Sequence, residues 1–465
     1  MEGMLVSTRD SKKKKVPYNK ALLQGLAPDG GLFVPTEYPQ LNKEELSQLK
    51  NAPYTKIAFE IKRKFIGESI PDSELKRLLQ NAYKNKFHAD ERIVPVRQIS
   101  DGLYIQNLSL GPTAAFKDMA LQQLAQEMNF ELDKRNEDLV ILGATSGDTG
   151  SSAEAAVKEQ ERIKLFMLSP KDGMSDFQKA QMGKLTGENI FNIAVDGRFD
   201  DCQDLVKKVK KDPEFAKLGA VNSINWGRIT SQVPYFVSGY LQAVENIGDE
   251  VDFVVPTGNF GNVLSGYIAK QMGVPIRRLI VATNENNVLS KLINTGVYEY
   301  TPSQSTSSPS MDISKASNYE RLVYDIFSKD AQTTRKYIEE FAAKGKVDLR
   351  DYGVSKDVFK DIGFYCATST HNDRQKIIKE VYDESGSIID PHTADGMNAA
   401  KKYKGDVPIV SMETALPVKF EDTIYEALGF IPEREERFKD MASKNGFYVM
   451  DNNLEKLKEY IRSNI

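Results

Sequence analysis

One lysine stands in a setting that suits covalent chemistry on a carbonyl group. Lys117 follows the aromatic residue Phe116 in the run GPTAAFKD and precedes a periodic run that predicts an amphipathic helix, with Asp118 as its expected cap. Apolar surroundings lower the pKa of a lysine and free its amine to attack a carbonyl. The alternative is a solvated surface lysine, the ordinary state of most of the 62 Lys and Arg residues.

Two glycine-rich turns could bind anions. The segments GATSGDTGSSA (143–153) and PTGNFGN (256–262) each follow a strand-like run and open a helix-like one, as anion-binding turns do. In the second turn, the amides from Gly258 to Asn262 can converge on a phosphate that the helix dipole also favours. The alternative is a tight connection without a ligand. Its spacing matches neither the dinucleotide fingerprint nor the Walker P-loop.

The first of these turns is rich in hydroxyl groups. Thr145, Ser146, Thr149 and Ser151 lie within seven positions, although one Ser or Thr suffices to cap a helix. Hydroxyls and amides at a helix start suit a carboxylate as well as a phosphate. One candidate imine-forming lysine and two anion-binding turns together indicate an enzyme that uses pyridoxal phosphate on an amino acid.

Strand-like and helix-like runs alternate from about residue 135 onward. Apolar runs of strand length occur at 138–144, 163–169, 191–197, 251–257, 277–283 and 407–413, and helical patterns at 150–160, 200–211 and 261–272. The strand candidates are apolar almost throughout, which is typical of strands buried on both faces of a parallel sheet. The pattern predicts an α/β fold with right-handed crossovers.

The chain is long enough for two or three domains. Residues 1–90 carry amphipathic helical patterns with few strand signals, which predicts a helical N-terminal region. We expect a large cofactor-binding domain from 91–134 and 235–465, and a smaller α/β domain from 135–234. Residues 301–312, rich in Ser, Thr and Pro, predict a long loop that is either a mobile surface excursion or a lid over the site.

Composition argues against several kinds of partner. The net charge of −4 over 465 residues gives no electrostatic reason to expect nucleic acid or a membrane surface. No apolar run approaches the ~18 residues of a membrane span, and a secretory signal is not expected. Two distant cysteines fit a reducing cytoplasm, and the three histidines show no metal-binding spacing. We therefore expect a cytoplasmic monomer or small homo-oligomer that acts on a small molecule without a metal.

With these motifs in place, the chain resembles the threonine synthase family, in the longer form of fungi and many bacteria. The resemblance is carried, in order, by LLQGLAPDGGLFVP (22–35), GPTAAFKD (111–118), GATSGDTGSSA, VNSINWGRI (221–229), PTGNFGN, ATNENN (282–287), SMDIS (310–314), DPHTADG (390–396) and TALPVKF (414–420). It implies the two-lobed pyridoxal-phosphate fold that tryptophan synthase β also has, with mostly parallel sheets.

The resemblance implies a set of residues that hold pyridoxal 5'-phosphate. Lys117 matches the lysine that forms the Schiff base, Asp148 is expected near the 3'-oxygen, and Thr414 is expected to hydrogen-bond the pyridine nitrogen. A hydroxyl there, unlike an aspartate, would leave that nitrogen neutral and discourage transamination. The cofactor phosphate is expected on Gly258, Asn259, Phe260, Gly261 and Asn262.

It also implies a substrate, O-phospho-L-homoserine, and residues that bind it. Its carboxylate is expected on Ser146, Gly147 and Thr149, and its phosphate on Asn225, Arg228 and Lys419, with Thr113 also at the substrate. Arginine suits a phosphate because its guanidinium can donate to two oxygens at once. The implied reaction is γ-elimination of phosphate followed by addition of water at the β-carbon, which gives L-threonine.

Two positions depart from the family pattern. Leu110 stands where a histidine commonly precedes the Gly-Pro-Thr segment, and Leu416 replaces a second histidine, so only His392 remains near matched motifs. The changes bear on the substrate and the route of proton transfer. A phospholyase or a dehydratase of the same fold, acting on another amino acid, is the alternative function. A non-catalytic metabolite-binding protein on this scaffold is a third possibility.

Overall fold

The chain divides into two compact units of α/β structure. The computed structural model describes residues 3–87, 90–145, 147–172, 174–215, 217–219, 223–439, 441 and 446–465. Unit 1 comprises Met1–Arg77, His88–Leu110 and Ser223–Pro432, and unit 2 comprises Leu78–Phe87, Gly111–Asn222 and Glu433–Ile465. The three-part domain division expected above stays a prediction.

Strands recur along the whole chain. In order they are β1 (Met4–Ser7), β2 (Val16–Pro17), β3 (Phe33–Pro35), β4 (Val96–Ser100), β5 (Leu103–Asn107), β6 (Leu139–Ala144), β7 (Ile163–Pro170), β8 (Ile190–Asp196), β9 (Val251–Pro256), β10 (Ile276–Thr283), β11 (Val297–Glu299), β12 (Lys346–Asp348), β13 (Phe364–Thr368), β14 (Ile409–Glu413) and β15 (Phe447–Asp451).

Helices connect and cover these strands. In order they are α1 (Tyr18–Gln24), α2 (Lys43–Leu49), α3 (Tyr54–Ile66), α4 (Asp72–Tyr83), α5 (Lys117–Arg135), α6 (Asp148–Val157), α7 (Asp176–Lys184), α8 (Phe199–Lys211), α9 (Trp226–Thr230), α10 (Val233–Ala243), α11 (Gly261–Gln271), α12 (Val288–Thr295), α13 (Tyr319–Ile326), α14 (Ala331–Lys344), α15 (Val358–Asp361), α16 (His371–Ser385), α17 (Pro391–Tyr403), α18 (Glu421–Leu428), α19 (Glu436–Lys439) and α20 (Leu454–Arg462).

Unit 1 is organised around a six-stranded sheet with the order β13-β10-β9-β14-β5-β4. Its strands are parallel except β4, which pairs with β5 in the antiparallel direction at one edge. Val254, Ile280 and Ile409 are fully buried in its core. Since β9 and β14 are parallel neighbours, the residues after Pro256 and after Glu413 both emerge at the carboxyl ends of the strands. This is the side on which α/β folds place their ligands.

Unit 2 contains a parallel four-stranded sheet with the order β15-β8-β7-β6. One face packs on α8 and α20 through a core that includes Phe166, Ile193, Leu205 and Leu457. The other face meets α7, where the Asn192 side chain donates to a main-chain carbonyl. The last strand and helix of the chain therefore complete a unit whose other strands lie more than two hundred residues earlier.

The α/β class and the mostly parallel sheets are confirmed. The first ninety residues contain the expected helices α1 to α4, but the strands β1 to β3 also form a small antiparallel sheet there. In the 301–312 loop, residues 301–305 are exposed. The Thr306 hydroxyl donates a hydrogen bond to the Asp312 carboxylate, and Asn284 Nδ2 donates to both side chains. None of the helices in the described residues is both long and apolar enough to cross a membrane.

Candidate active site

Lys117 is the first residue of α5 and lies beside a carboxylate of α6. Its Nζ is 3.5 Å from Asp148 Oδ2, and the two side chains are 13% and 6% exposed. Nζ also lies 5.8 Å from the centre of the Phe116 ring. The expected amphipathic helix is wrong in one respect, because α5 is buried on all sides from Asp118 to Met128. An amine in this position is shielded from bulk water by its own helix and by a neighbouring ion-pair partner.

The loop before Lys117 is fixed by Asp118, which does not cap the helix as expected. The Asp118 carboxylate accepts hydrogen bonds from the Thr113 amide and the Thr113 hydroxyl, both at 2.7 Å. The same Thr113 hydroxyl lies 2.8 Å from Ser152 Oγ of α6. Gly111 has no room for a side chain, since a Cβ would lie 2.6 Å from Asp118 Oδ2. Thr113, Lys117 and the start of α6 therefore form one connected group.

The start of α6 uses its hydroxyls partly for local structure. Thr145 Oγ1 accepts from the Gly147 amide at 3.0 Å and from the Gly150 amide at 2.9 Å, which is a capping role. Ser151 Oγ donates back to the Asp148 carbonyl. Thr149 is half-buried in the first turn. Two of the four hydroxyls thus stabilise the turn itself. Ser146 lies outside the described residues.

Gln178 of α7 orients Asp148 and was not singled out from the sequence. Its Nε2 donates to Asp148 Oδ1 at 3.0 Å, while its Oε1 accepts from the Ser175 amide. Gly147 has φ of 138°, and a Cβ there would lie 2.4 Å from Gln178 Nε2. The sequence signal for this residue is the capping box Ser175-x-x-Gln178, which fixes the side chain at a helix start.

In unit 1, the 256–262 turn has the backbone of an anion-binding loop. Phe260 adopts a left-handed conformation with φ of 65°, and its ring is buried against Tyr319 and Phe364. The helix α11 begins at Gly261, and its N-cap residue Phe260 has no side-chain group that caps it. Gly258 is packed closely, because a Cβ there would lie 3.0 Å from Ile313 and 3.1 Å from the Ser310 carbonyl. The first-turn amides of α11 are accordingly available to an anion.

Asn262 completes this turn with a buried amide. Its Oδ1 accepts from the Tyr235 hydroxyl at 2.6 Å, and Gln232 Oε1 lies 3.1 Å from the same hydroxyl. Within the described residues, Asn262 Nδ2 is buried without a hydrogen-bond partner. Buried donors are normally satisfied, so an unpaired one at a helix N-terminus indicates a place for an acceptor.

Arg228 lies on α9, which packs against the first turn of α11. Ile229 contributes this contact: its carbonyl accepts from Ser265 Oγ, and its Cδ1 would lie 3.6 Å from a Cβ on Gly261. Arg228 is 6% exposed, and burial lowers the pKa of its guanidinium to about 10. Asn225 caps α9 by accepting from the Gly227 amide, and its Nδ2 donates to a main-chain carbonyl of α1. Asn225 therefore fixes the helix that carries Arg228.

Thr414 and Lys419 follow β14 at the carboxyl ends of the strands of the unit 1 sheet. Both are buried, at 6% and 2% exposed. The preceding Glu413 accepts from Arg97 at 2.9 Å and from Ser109 at 3.3 Å. Burial raises the pKa of Glu413 to about 7, although Arg97 opposes this shift. A carboxyl group with a perturbed pKa thus adjoins the expected contact of the cofactor ring.

His392 has a structural role in unit 1. Its Nδ1 lies 2.7 Å from Asp390 Oδ1, and its Nε2 accepts from the Ser310 amide at 3.0 Å. The acceptor role of Nε2 places the proton on Nδ1. His392 thereby holds the segment that covers Gly258. Leu416 is buried and Leu110 half-buried where the family pattern has histidine.

The expected site residues fall into two local groups, one in each unit. Unit 2 brings together Thr113, Lys117, Gly147, Asp148 and Thr149 at the starts of α5 and α6. Unit 1 packs α9, which carries Arg228 and is capped by Asn225, against the helix that follows the 256–262 turn. It places Thr414 and Lys419 after β14, at the same ends of the parallel strands as that turn. No cluster of metal ligands occurs among the described residues.

Comparisons with known proteins cover nearly the whole chain. Residues 4–83 match the family described as threonine synthase N terminus, residues 88–355 the family described as pyridoxal-phosphate dependent enzyme, and residues 393–461 the family described as threonine synthase, C-terminal. Threonine synthase of Corynebacterium glutamicum is 47% identical over 98% of this chain and 97% of its own length. That of Methylobacillus glycogenes is 45% identical over 99% of each.

The solved structures agree. The crystal structure of threonine synthase from Brucella melitensis with bound pyridoxal phosphate superimposes with a TM-score of 0.95, at 37% identity, over 99% of each chain. The two-lobed fold expected from the resemblance is confirmed, and so is pyridoxal phosphate as the cofactor. This chain therefore belongs to the threonine synthase family of pyridoxal-phosphate-dependent enzymes.

Proposed function

We propose that this chain converts O-phospho-L-homoserine and water to L-threonine and phosphate. The relatives that it matches over nearly its full length are threonine synthases, and this reaction is the one that their name describes. The reaction needs sites for two phosphate groups, one on the cofactor and one on the substrate. It also needs a base that can move protons at neighbouring carbons.

The residues present fit pyridoxal phosphate. Asn262 Nδ2, which has no partner in the described part of the chain, and the first turn of α11, which Phe260 does not cap, supply donors for a phosphate. Gly258 packs closely against Ile313 and the Ser310 carbonyl, so the turn requires a residue without a side chain at this position. Lys117 lies at a helix start beside Asp148, which is a suitable position for a covalent attachment. The donors for the phosphate belong to unit 1, and Lys117 and Asp148 belong to unit 2.

We assign the cofactor contacts as follows. Lys117 would hold the cofactor through its amine, Asp148 would lie near the 3'-oxygen, and Thr414 would donate to the neutral ring nitrogen. The cofactor phosphate would be held by the turn formed by Gly258, Asn259, Phe260, Gly261 and Asn262. When bound, pyridoxal phosphate supplies an electron sink that stabilises negative charge at the substrate carbons.

The substrate contacts follow from charge and burial. Arg228 is a buried guanidinium that can donate to two oxygens of the substrate phosphate, and its incomplete hydration favours an anionic partner. Asn225 fixes the start of its helix, and Lys419 supplies a second cation. The carboxylate is assigned to Ser146, Gly147 and Thr149 at the start of α6, with Thr113 at the same group.

Lys117 also serves as the base once its amine is released. Its Nζ takes the proton from the α-carbon and must deliver that proton back to the bound substrate and cofactor before it can take a second one from the β-carbon. The protonated form is stabilised each time by Asp148 Oδ2 at 3.5 Å. Gln178 holds that carboxylate in place through Asp148 Oδ1.

One observation carries the proposal. Unit 1 packs the helix of Arg228 against the first turn of α11, through Ile229 and Gly261. Either group can bind a phosphate by itself. Their adjacency suits two phosphates, one on the cofactor and one on the substrate. This favours a phosphorylated amino acid over an unphosphorylated one.

The test compares phosphate release from O-phospho-L-homoserine, O-phosphoserine and O-phosphothreonine by the purified holoenzyme. We expect a clear preference for the first compound, with threonine as the carbon product. A greater rate with either other compound would support the phospholyase alternative, for which Leu110 and Leu416 are the motivating departures. Formation of 2-oxobutyrate in place of threonine would instead indicate a dehydratase.

We also propose that the protein acts in the cytoplasm as a monomer or small homo-oligomer. Cys202 and Cys366 are both free and buried, and burial raises the pKa of the Cys202 thiol to about 11. Such thiols are weakly reactive and suit a reducing compartment. Sedimentation analysis of the purified holoenzyme measures the oligomeric state.

A further inference from the structure

Asn318 stands just before α13 and does not use its side chain as helix-starting asparagines usually do. Such a residue ordinarily accepts a hydrogen bond from an amide of the first helical turn. No such side-chain bond is present at α13. Asn318 Nδ2 instead donates to the main-chain carbonyls of Asn259 at 3.2 Å and Ser223 at 3.1 Å. Its backbone amide also donates to Asn259, at 3.1 Å.

Arg321, on the first turn of α13, fixes the orientation of that amide. Its Nη1 donates to Asn318 Oδ1 at 2.5 Å, so Asn318 Nδ2 must face the two carbonyls. Its Nη2 donates to the Ile224 carbonyl at 2.5 Å, and its Nε to the Phe33 carbonyl at 2.9 Å. The guanidinium also lies 5.5 Å from the centre of the Trp226 ring.

The burial of this pair is costly. Asn318 and Arg321 are both fully buried, and the hydrogen bonds given above for Arg321 end on neutral oxygens. Burial lowers the pKa of Arg321 to about 10. A charge in such surroundings is unfavourable unless its hydrogen bonds are satisfied, so the pair acts as a unit and its geometry is narrowly fixed.

The turn of the anion-binding loop rests directly on Asn318. A Cβ on Gly261 would lie 3.3 Å from Asn318 Nδ2. The left-handed residue Phe260 packs its ring edge-on against Tyr319, at 5.9 Å between centres. A non-glycine residue in this conformation is strained, and its neighbours must hold it there. The start of α13 supplies those neighbours.

We propose that Asn318 and Arg321 are positioning residues that hold the 256–262 turn and the 223–228 segment in one arrangement before a phosphate binds. Asn318 joins Asn259 to Ser223, and Arg321 adds Ile224, just ahead of the helix that carries Arg228. A site ordered in advance loses less freedom when its ligand binds. This inference rests on the proposed assignment of the 256–262 turn to the cofactor phosphate.

The experiment titrates the apoenzyme with pyridoxal phosphate and with pyridoxal, which lacks the phosphate. For Asn318→Ala we expect the Kd for pyridoxal phosphate to rise about tenfold or more, as loss of hydrogen bonds that order a charged site predicts. The Kd for pyridoxal should stay unchanged, because the aldehyde end does not depend on this turn. The readout is the Kd for pyridoxal divided by the Kd for pyridoxal phosphate. This ratio does not depend on catalytic activity.

Two further variants separate positioning from folding. Asn189→Ala is the matched control, since Asn189 Nδ2 also donates to main-chain carbonyls, of Val157, Gln160 and Ile163, but belongs to unit 2. We expect it to leave the ratio unchanged. Asn318→Ser cannot span the same carbonyls but can cap α13. The helix should therefore fold, while the Kd for pyridoxal phosphate still rises relative to the Kd for pyridoxal. Thermal unfolding of each apoenzyme reports any general loss of structure.

The possible outcomes are distinct. If wild-type protein binds pyridoxal as well as pyridoxal phosphate, the assignment of the turn to the phosphate is wrong. If the wild type discriminates and both Asn318 variants discriminate equally well, the positioning proposal is overturned while that assignment stands. Equal weakening of both ligands in the variants would also overturn it, since it indicates a merely structural role.

Discussion

At the scale of single residues, the site relies on charged groups whose partners come from other segments. Lys117 faces Asp148, Asp148 is oriented by Gln178, and Asp118 holds Thr113. Each carboxylate accepts hydrogen bonds that fix its direction, which is a condition for stabilising a charge that appears only during the reaction. This can be tested at Asp148, because its Oδ1 is held by Gln178 whereas its Oδ2 faces Lys117.

Asp148→Asn should slow proton transfer without removing the cofactor. The amide can still accept from Gln178, but it loses the negative charge 3.5 Å from Lys117 Nζ. We expect kcat to fall by about 10- to 100-fold, roughly the worth of a partly shielded ion pair. The measurement is the rate at which the substrate α-hydrogen exchanges in deuterated water. Asp406→Asn, at an exposed ion pair with Arg277, should leave that rate unchanged.

Glu413→Gln should change how stability depends on pH. Burial raises the folded-state pKa of Glu413 from the ordinary 4.5 to about 7. The folded state therefore holds this proton more tightly than the unfolded state. Its contribution to stability is complete below the unfolded pKa and is lost as pH rises through 7. A shift of that size corresponds to on the order of 3 kcal/mol at alkaline pH.

Urea unfolding of the two apoenzymes between about pH 5 and about pH 8 measures this effect. We expect the glutamine variant to match the wild type at the acidic end and to exceed it in free energy of unfolding at the alkaline end. The amide oxygen can keep the bond from Arg97 and the amide nitrogen can donate to the Ser109 hydroxyl, so the substitution removes chiefly the buried charge. Parallel pH profiles for the two proteins would contradict the prediction.

At the scale of elements, the sequence predicted the buried parallel strands well. The runs at 163–169 and 251–257 correspond to β7 and β9 within one residue at each end. Their continuous Val, Ile and Leu content reflects burial on both faces, which is a local signal. The strands of the first ninety residues are four residues or shorter, and β4 pairs only at an edge, so neither carries a comparable signal.

The site was predictable only in part, because the sequence carries clear signals only for features that are local along the chain. Lys117 and the two glycine-rich turns stand out because each motif is contiguous in sequence. Gln178, Tyr235 and Asn318 reach those motifs from separate elements, so only tertiary packing brings them near. The burial of α5 was missed because its glutamines and glutamates, which look solvent-facing in sequence, are covered in the fold.

The start of α6 offers a prediction at this scale. Gly147→Ala would place a Cβ 2.4 Å from Gln178 Nε2, on a residue whose φ is 138°. Backbone strain of this kind costs about 1–3 kcal/mol, and Gln178 must move away from Asp148. We expect kcat/KM for O-phospho-L-homoserine to fall about tenfold or more. Steady-state kinetics on the purified variant measures the change.

Gly386→Ala is the matched control for that substitution. Gly386 ends α16 with φ of 68°, and no atom of the described residues lies within 4 Å of a Cβ built there. The alanine variant therefore carries the penalty of a left-handed residue without a clash, on the order of 1 kcal/mol of stability. It should keep full activity. Equal loss of activity in both variants would mean that Gly147 acts through general stability alone.

At the scale of the whole molecule, each unit has its own sheet and its own core. Unit 2 takes its last strand and helix from the end of the chain, where Met450, Leu457 and Ile461 join residues of β7 and β8. The C-terminal segment is thus part of the fold that carries Lys117. Unit 1 buries a separate cluster, on Val254, Ile280 and Ile409.

Leu457→Ala should loosen unit 2 selectively. The leucine is fully buried in the α20 side of that core, and its truncation costs about 2–5 kcal/mol. Hydrogen exchange on the apoenzyme, followed by mass spectrometry, should show faster exchange in β8 and α8 than in the wild type. Exchange in β9 should be unchanged. Leu292→Ala, a similarly buried leucine of unit 1, should not raise exchange in β8. Uniformly faster exchange in both variants would show that the two cores unfold as one cooperative structure.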